Sequence, residues 1–248
     1  MAAALAKVAK IMKKIYFAIV WISLVFFPLY TDWGHAAAIS SEESKRILTG
    51  IFSKYIPIYT KYRGVESTSR NVIREYDPKT NVLKSTTEVV LRRKDYFYEK
   101  PEIKPLSLKK DGKETDPSGY RSWETKPGYL VFDKNGNDHY LFKIVDTRII
   151  NKRECYRIEV LPKKMTSRHF QGKIYCAVDT LDIVQTVGGA ADLDFPIKYF
   201  WSEFDYTLVN KVPVAQSGTL KVRIDIPVIY PDTLIVTATT IIESRLLE

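Results

Sequence analysis

Cysteine, histidine, methionine and glycine are all scarce in this chain of 248 residues, which holds two Cys, three His, three Met and 11 Gly. Two cysteines cannot build the disulfide framework of a small secreted scaffold. The histidines, His35, His139 and His169, have no His, Cys or carboxylate neighbour at metal-ligand spacing, so no metal site is expected. The glycines form neither a phosphate-cradling loop nor a G-x-S-x-G elbow, which removes the commonest nucleotide-binding and serine-hydrolase signatures. Gly188-Gly189 ends an apolar run before small residues and reads as a turn. DKNGND (133–138) has the opening of a calcium loop, but Ile144 and Val145 stand where its closing Glu belongs, so it too reads as a turn.

Long apolar runs are also missing, with one exception at the start. After Lys13 and Lys14 comes IYFAIVWISLVFFPLY, sixteen residues without a charge, and then His35-Ala-Ala-Ala38. A basic start, an apolar middle and a small-residue end describe a secretory signal peptide. The run is shorter than the roughly 20 residues that span a bilayer, and Pro28 interrupts it, so cleavage after Ala38 and export to the periplasm are expected. Met12 opens a more compact version of the same leader, MKKIYFAIV, which would make the first eleven residues an upstream start.

Residues 39–248 then form one domain. They keep 34 of the 38 basic and 28 of the 29 acidic residues, since Lys7, Lys10, Lys13, Lys14 and Asp32 precede them. The excess is mild and dispersed; RRK at 92–94 is the densest run. No reader motif or basic stripe accompanies it, so nucleic acid is not an expected partner. A weak attraction to anionic membrane surfaces is the more natural use of such a charge.

Ser40 and Glu43 have capping-box spacing. Ile47, Leu48, Ile51, Phe52, Tyr55 and Ile56 then recur on one helical face, which predicts a helix over 41–56 ended by Pro57. Strands dominate the rest. A long hairpin is expected at 64–77 and 83–99 around DPKTN. Further strands are expected at 129–133, 140–150, 154–161, 169–178, 183–188, 197–209, 214–226 and 233–243, joined by short turns such as NKR and NKVP. Residues 100–128, with Pro101, Pro105, Pro117 and Pro127, read as a long excursion. The tail IIESRLLE extends the last strand or frays. Nine or ten antiparallel strands and one helix make a mainly β, α+β fold: a strongly curved sheet or unclosed barrel whose apolar face the helix covers.

Two features of GKIYCAVDTLDIVQTVGG (172–189) bear on chemistry. One is register. Pairing Cys155 with Cys176 sets Arg157 against Ile174 and Ile158 against Lys173. Sliding by one residue sets Ile158 against Ile174 and Tyr156 against Cys176, and puts the two sulfurs on opposite faces. Burial favours the second register, hence no disulfide. The other feature is the pair Asp179 and Asp182, which flank a Thr-Leu turn between strands. In so accessible a corner they are expected to serve the turn rather than catalysis.

The helix after the leader, the hairpin RIEVLPK … FQGKIYCAVDTLDIVQTVG, and the later Lys211-Val212-Pro213 step together resemble the LolA/LolB-like superfamily of outer-membrane lipoprotein-sorting proteins. The resemblance spans nearly all of 40–248 and lies in strands and turns, not in a catalytic signature. It implies a curved, unclosed antiparallel barrel with a helical lid over an apolar cavity for acyl chains. No enzyme activity and no cofactor are implied. The expected partner is a lipid or acylated lipoprotein, with a membrane surface or membrane protein as a further contact. The alternative is an envelope-stress regulator or scaffold that binds a protein partner with the same fold. Strand alternation points Val89, Leu91, Phe142, Ile144, Ile158, Val160, Ile174, Phe200 and Phe204 inward as cavity candidates, and the same residues would equally fill a solid core.

Overall fold

The Ser40 hydroxyl accepts a hydrogen bond from the Glu43 amide at 3.1 Å and starts helix α1, Ser41–Lys61. It does so in a computed structural model that describes residues 39–120, 128–226 and 230–248. The expected leader, residues 1–38, lies outside the described residues. No helix among them is long and apolar enough to cross a membrane.

Helix α1 does not stop at Pro57 as expected; it runs one further turn to Lys61. Pro57 removes one backbone hydrogen bond, which normally breaks a helix. Here both Ser53, whose carbonyl is freed, and Pro57 are exposed, so the carbonyl is open to solvent. The next turn carries Ile58 and Tyr59 onto the main core, and that burial offsets the lost bond.

Eleven strands follow: β1 Gly64–Tyr76, β2 Leu83–Tyr96, β3 Glu102–Lys110, β4 Lys113–Thr115, β5 Tyr140–Ile150, β6 Arg153–Pro162, β7 Phe170–Ala177, β8 Ile183–Ala190, β9 Ile197–Val209, β10 Val212–Ile226 and β11 Tyr230–Leu247. They form one antiparallel sheet in the order β4-β3-β2-β1-β11-β10-β9-β8-β7-β6-β5, open at β4 and β5. Two meanders thus meet where the chain ends pair, Gly64 opposite Leu247 and Tyr76 opposite Leu234. The C-terminal tail extends β11 as one of the two expected outcomes.

Three expectations are corrected. The excursion at 100–128 contains strands β3 and β4, joined by Asp111-Gly112 at positive φ of 48° and 80°, the backbone that a two-residue hairpin turn needs. Pro105 is tolerated because β3 bulges there and β4 is too short to pair with it. Residues 129–133 are not a strand: Asp133 accepts the Asn135 amide at 2.9 Å, and the turn leads into a short helix α2, Gly136–His139. Gly188-Gly189 is not a turn either. It continues β8, where Gly188 pairs with Gly172 and the Phe170 ring lies over both.

The Asn-Lys corners at 151–152 and 210–211 are turns as expected, with φ of 49° and 66°, and 50° and 67°. The second puts Val212-Pro213 at the start of β10 rather than in the turn.

The β6–β7 register is the one favoured by burial: Ile158 faces Ile174 and Tyr156 faces Cys176. Both cysteines are free and buried, in separate clusters on opposite faces. Burial pushes the Cys176 thiol far above its usual range.

Helix α1 lies on β5–β8. Ile47, Ile51 and Tyr55 pack with Ile144, Ile158, Val160, Ile174, Cys176 and Ile183. The β7–β8 turn reaches up to the helix. Lys54 Nζ contacts Asp182 at 2.5 Å and the Thr180 carbonyl at 2.7 Å. The Tyr55 hydroxyl accepts the Ile183 amide at 2.8 Å and donates to the Leu181 carbonyl at 3.3 Å. Asp182 is therefore not the accessible corner residue expected: its side chain is 8% exposed, under a Lys54 side chain that is 26% exposed. Asp179 stays outside and pairs with Arg153 at 3.0 Å.

Two measurements follow. Removing Asp182 strands a half-buried ammonium group. Asp182→Ala should therefore lower the unfolding free energy by about 1–3 kcal/mol, and Asp179→Ala by less than about 0.5 kcal/mol, both read from denaturant titrations. Free-thiol titration of unreduced protein should find two thiols on denaturation and neither reacting readily before it.

Candidate functional site

The sheet is curled, and side chains rather than strand pairing bring its rims together. β2 and β5 stand eight positions apart in the strand order. In a flat sheet that is about 38 Å at roughly 4.8 Å per strand. Yet Tyr98, just past β2, lies against the Asp133 carboxylate. Asp133 follows Phe132, whose ring stacks on Phe142 of β5 at 5.5 Å. Phe97 meets Tyr59 of helix α1 edge-on at 4.9 Å. Burial, with Asp133 adding to it, raises the Tyr98 phenol above its ordinary range, so the group stays neutral.

Pairing register sorts each strand into two faces. All nine predicted inward residues share the face that meets helix α1. They do not form one group. Phe142, Ile144, Ile158, Val160 and Ile174 belong to the core under the helix, with Ile144, Ile158, Val160 and Ile174 fully buried. Val89 and Leu91 close a smaller cluster with Leu108, Ile73, Ile103 and Tyr120. Phe200 and Phe204 lie between the two clusters and are only half-buried.

Between the clusters, β9, β10 and β11 present Phe200, Phe204, Leu220, Val222 and Ile235 to the concave side, all half-buried. They form a half-buried apolar patch between the two clusters. Phe204 lies flat because Gly218 faces it: a Cβ at Gly218 would come within 2.2 Å of the ring. Along the side of the Val89 cluster runs a polar strip absent from the sequence reading. The Asn71 amide donates to Ser69 Oγ at 3.0 Å, and Thr239 Oγ1 donates to Asn71 Oδ1 at 2.8 Å. Ser67, Ser69 and Asn71 are buried. Alternation of Ser67, Ser69, Asn71 and Ile73 on one face was available in GVESTSRNVIREY, but three of the four are polar, so the segment gave no apolar stripe to follow.

The opposite face carries a small apolar cluster around Cys155, Ala177 and Val184 and, beside it, several charged pairs. Asp146 holds Arg157 at 2.8 Å and Arg148 at 2.9 Å, while Gln185 donates to Glu203 and Asp205 at 3.1 and 3.0 Å. Lys221 sits 5.0 Å from the centre of the Trp201 ring. Among the described residues no three His, Cys, Asp or Glu side chains are grouped to hold a metal ion. The 133–138 stretch uses Asp133 to shape its own turn.

No family model matches the chain, and no curated protein is detectably similar to it. Solved structures are. The chain is similar to a LolA superfamily protein from Nitrosomonas europaea, at 7% identity and a TM-score of 0.41, over 82% of this chain and 93% of that one. It is similar to a putative outer membrane lipoprotein-sorting protein domain from Vibrio parahaemolyticus, at 11% identity and 0.42, over 81% and 93%. It is also similar to a DUF1329 family protein from Desulfovibrio piger, at 11% and 0.40, over 82% and 92%. The likeness is one of fold.

Proposed function

We propose that the protein is an exported, periplasmic carrier. Its apolar patch shelters the acyl chain of a lipid or an acylated lipoprotein on the way to the outer membrane. The observation that carries this reading is the half-exposed apolar floor of Phe200, Phe204, Leu220, Val222 and Ile235, left between two closed clusters. A soluble domain gains by covering such a surface. Each methylene buried there contributes about 0.8 kcal/mol, so a chain of ten or more methylenes supplies ample driving force. Such a carrier works by burial and release and asks for no nucleophile, metal or cofactor.

Release requires the helical side of the patch to yield. The polar anchors of α1 are local, on Lys54 and Tyr55 over one turn, while Ile47, Ile51 and Tyr55 hold its apolar face on the core.

The test is direct. Solvent extraction of the purified protein, followed by mass spectrometry, should recover phospholipid or acylated peptide. Phe204→Asn, which removes one wall of the floor, should weaken binding of a fluorescent fatty-acyl probe about tenfold, equivalent to about 1.4 kcal/mol. Asp179→Ala should leave that binding unchanged. An extract without lipid, together with a probe that does not bind, would sink the carrier. Capture of a membrane protein by lipid-free material would replace it with the envelope regulator.

A further inference from the structure

Two histidines that the patch does not use meet at the far side of helix α1. His139 ends α2, and His169 stands one residue before β7. Their ring centres are 5.4 Å apart. Tyr129 lies against both, at 4.0 Å from His139 and 4.6 Å from His169, and the Arg168 guanidinium sits 4.3 Å from the Tyr129 ring centre. His169 is 4% exposed, and its Nδ1 is 2.7 Å from Thr166 Oγ1. Backbone bonds knit the same corner together: the Tyr129 amide donates to the Arg168 carbonyl at 3.0 Å and the Lys163 amide to the His139 carbonyl at 2.8 Å.

What this corner holds in place is the segment that crosses from the β4 side to the β5 side. Between Tyr129 and His139 lie Val131 and Phe132, which pack under α1. The Phe132 ring stacks on Tyr55 at 6.0 Å and meets Phe52 edge-on at 5.6 Å. The Tyr140 hydroxyl ties the two halves: it donates to the Tyr129 carbonyl at 3.0 Å and accepts the Phe170 amide at 3.2 Å.

Among the described residues, the charged groups that act on His169 do not favour a charge on its ring. From α2 it faces His139; from its own loop, Arg168 and Lys164; and these are all basic. The remaining neighbours, Tyr129 before α2, Tyr140 of β5 and Thr166, are neutral. Burial first, and then these like charges, hold its pKa below the ordinary histidine value.

We propose that the His139–Tyr129–His169 stack is an acid-sensitive clasp, closed while His169 is neutral, whose protonation at that ring frees residues 128–139 and withdraws Phe132 from helix α1. The sign follows from linkage. A histidine whose pKa is lower in the closed form than in the open one binds its proton more tightly when open. Closure is therefore at full strength above about pH 6.5 and is lost as pH falls toward the lower, closed-form value. The inference stands independently of the acyl-chain reading, because its readout needs no ligand.

Amide hydrogen exchange on the full chain, corrected for intrinsic rates, tests it between about pH 7.5 and pH 5. Amides of 129–140 should lose protection by about tenfold per pH unit below about 6.5, while those of β8 and β9 should not. His169→Phe keeps an aromatic ring without a titrating nitrogen. It should hold 129–140 closed across the range. Should that variant not fold, NMR titration of the wild-type imidazoles decides: a His169 that titrates below about 6.5 supports the clasp. Protection independent of pH, a His169 that titrates at or above that value, or undiminished pH dependence in His139→Phe/His169→Phe would each overturn it.

Discussion

The contact between helix α1 and the β7–β8 turn sets the terms for the rest of the molecule. One helix of 21 residues has to serve a sheet of eleven strands. At about 10 Å across it cannot cover them all, and where it is tied decides which strands it covers. Lys54 and Tyr55 bind it to Thr180, Leu181, Asp182 and Ile183, over the β5–β8 half. That half becomes a solid core. The remaining strands must close by curling or leave their inner face partly open, and both happen: Val89, Leu91 and Leu108 close one end, and β9–β11 keep a half-open floor.

Much of this is legible in the sequence because burial acts on neighbouring residues. The stripe from Ile47 to Tyr55 specifies a helical face without knowledge of its partner. The choice between two β6–β7 registers needs only the rule that Ile158 should not face Lys173. What was not legible depends on distant groups. Pro57 ends a helix in isolation, and continues one here because Ile58 and Tyr59 find a core contributed by strands more than 80 residues away. Asp182 looks like a turn residue until Lys54, 128 positions earlier, is brought over it. Tyr129 and Phe132 look like strand residues because aromatic density is high. They are instead a plug that fits under a helix.

The Asp111-Gly112 corner is a different kind of miss. Its signal was local and strong, and four prolines nearby hid it. Pro105 excludes a central strand but not one beside a sheet edge. A reading that treats proline as a breaker everywhere discards the edge strands, which are the ones that can carry it. The nine inward residues show a matching limit. Alternation assigned their face correctly but not what covers that face, so one list mixed core residues beneath the helix with Phe200 and Phe204 on the open floor.

The way the sheet closes bears on what it can do. A barrel closed by backbone hydrogen bonds has its width set by strand number and stagger, and a cargo of another size would have to break a ladder. Here β4 and β5 never pair. The segment after β2 is instead joined to the segment before β5 by Tyr98 against Asp133, and to helix α1 by Phe97 against Tyr59. Aromatic contacts of this kind contribute about 0.5–1.5 kcal/mol each and shift by changes of rotamer. Such contacts can change while every strand keeps its register. The crossing segment that carries Asp133 and Phe132 also carries His139 and stacks on His169. The same short segment thus contributes both to this seam and to the proposed clasp. A sheet joined by its own backbone at that seam would have to break a ladder to make the same change.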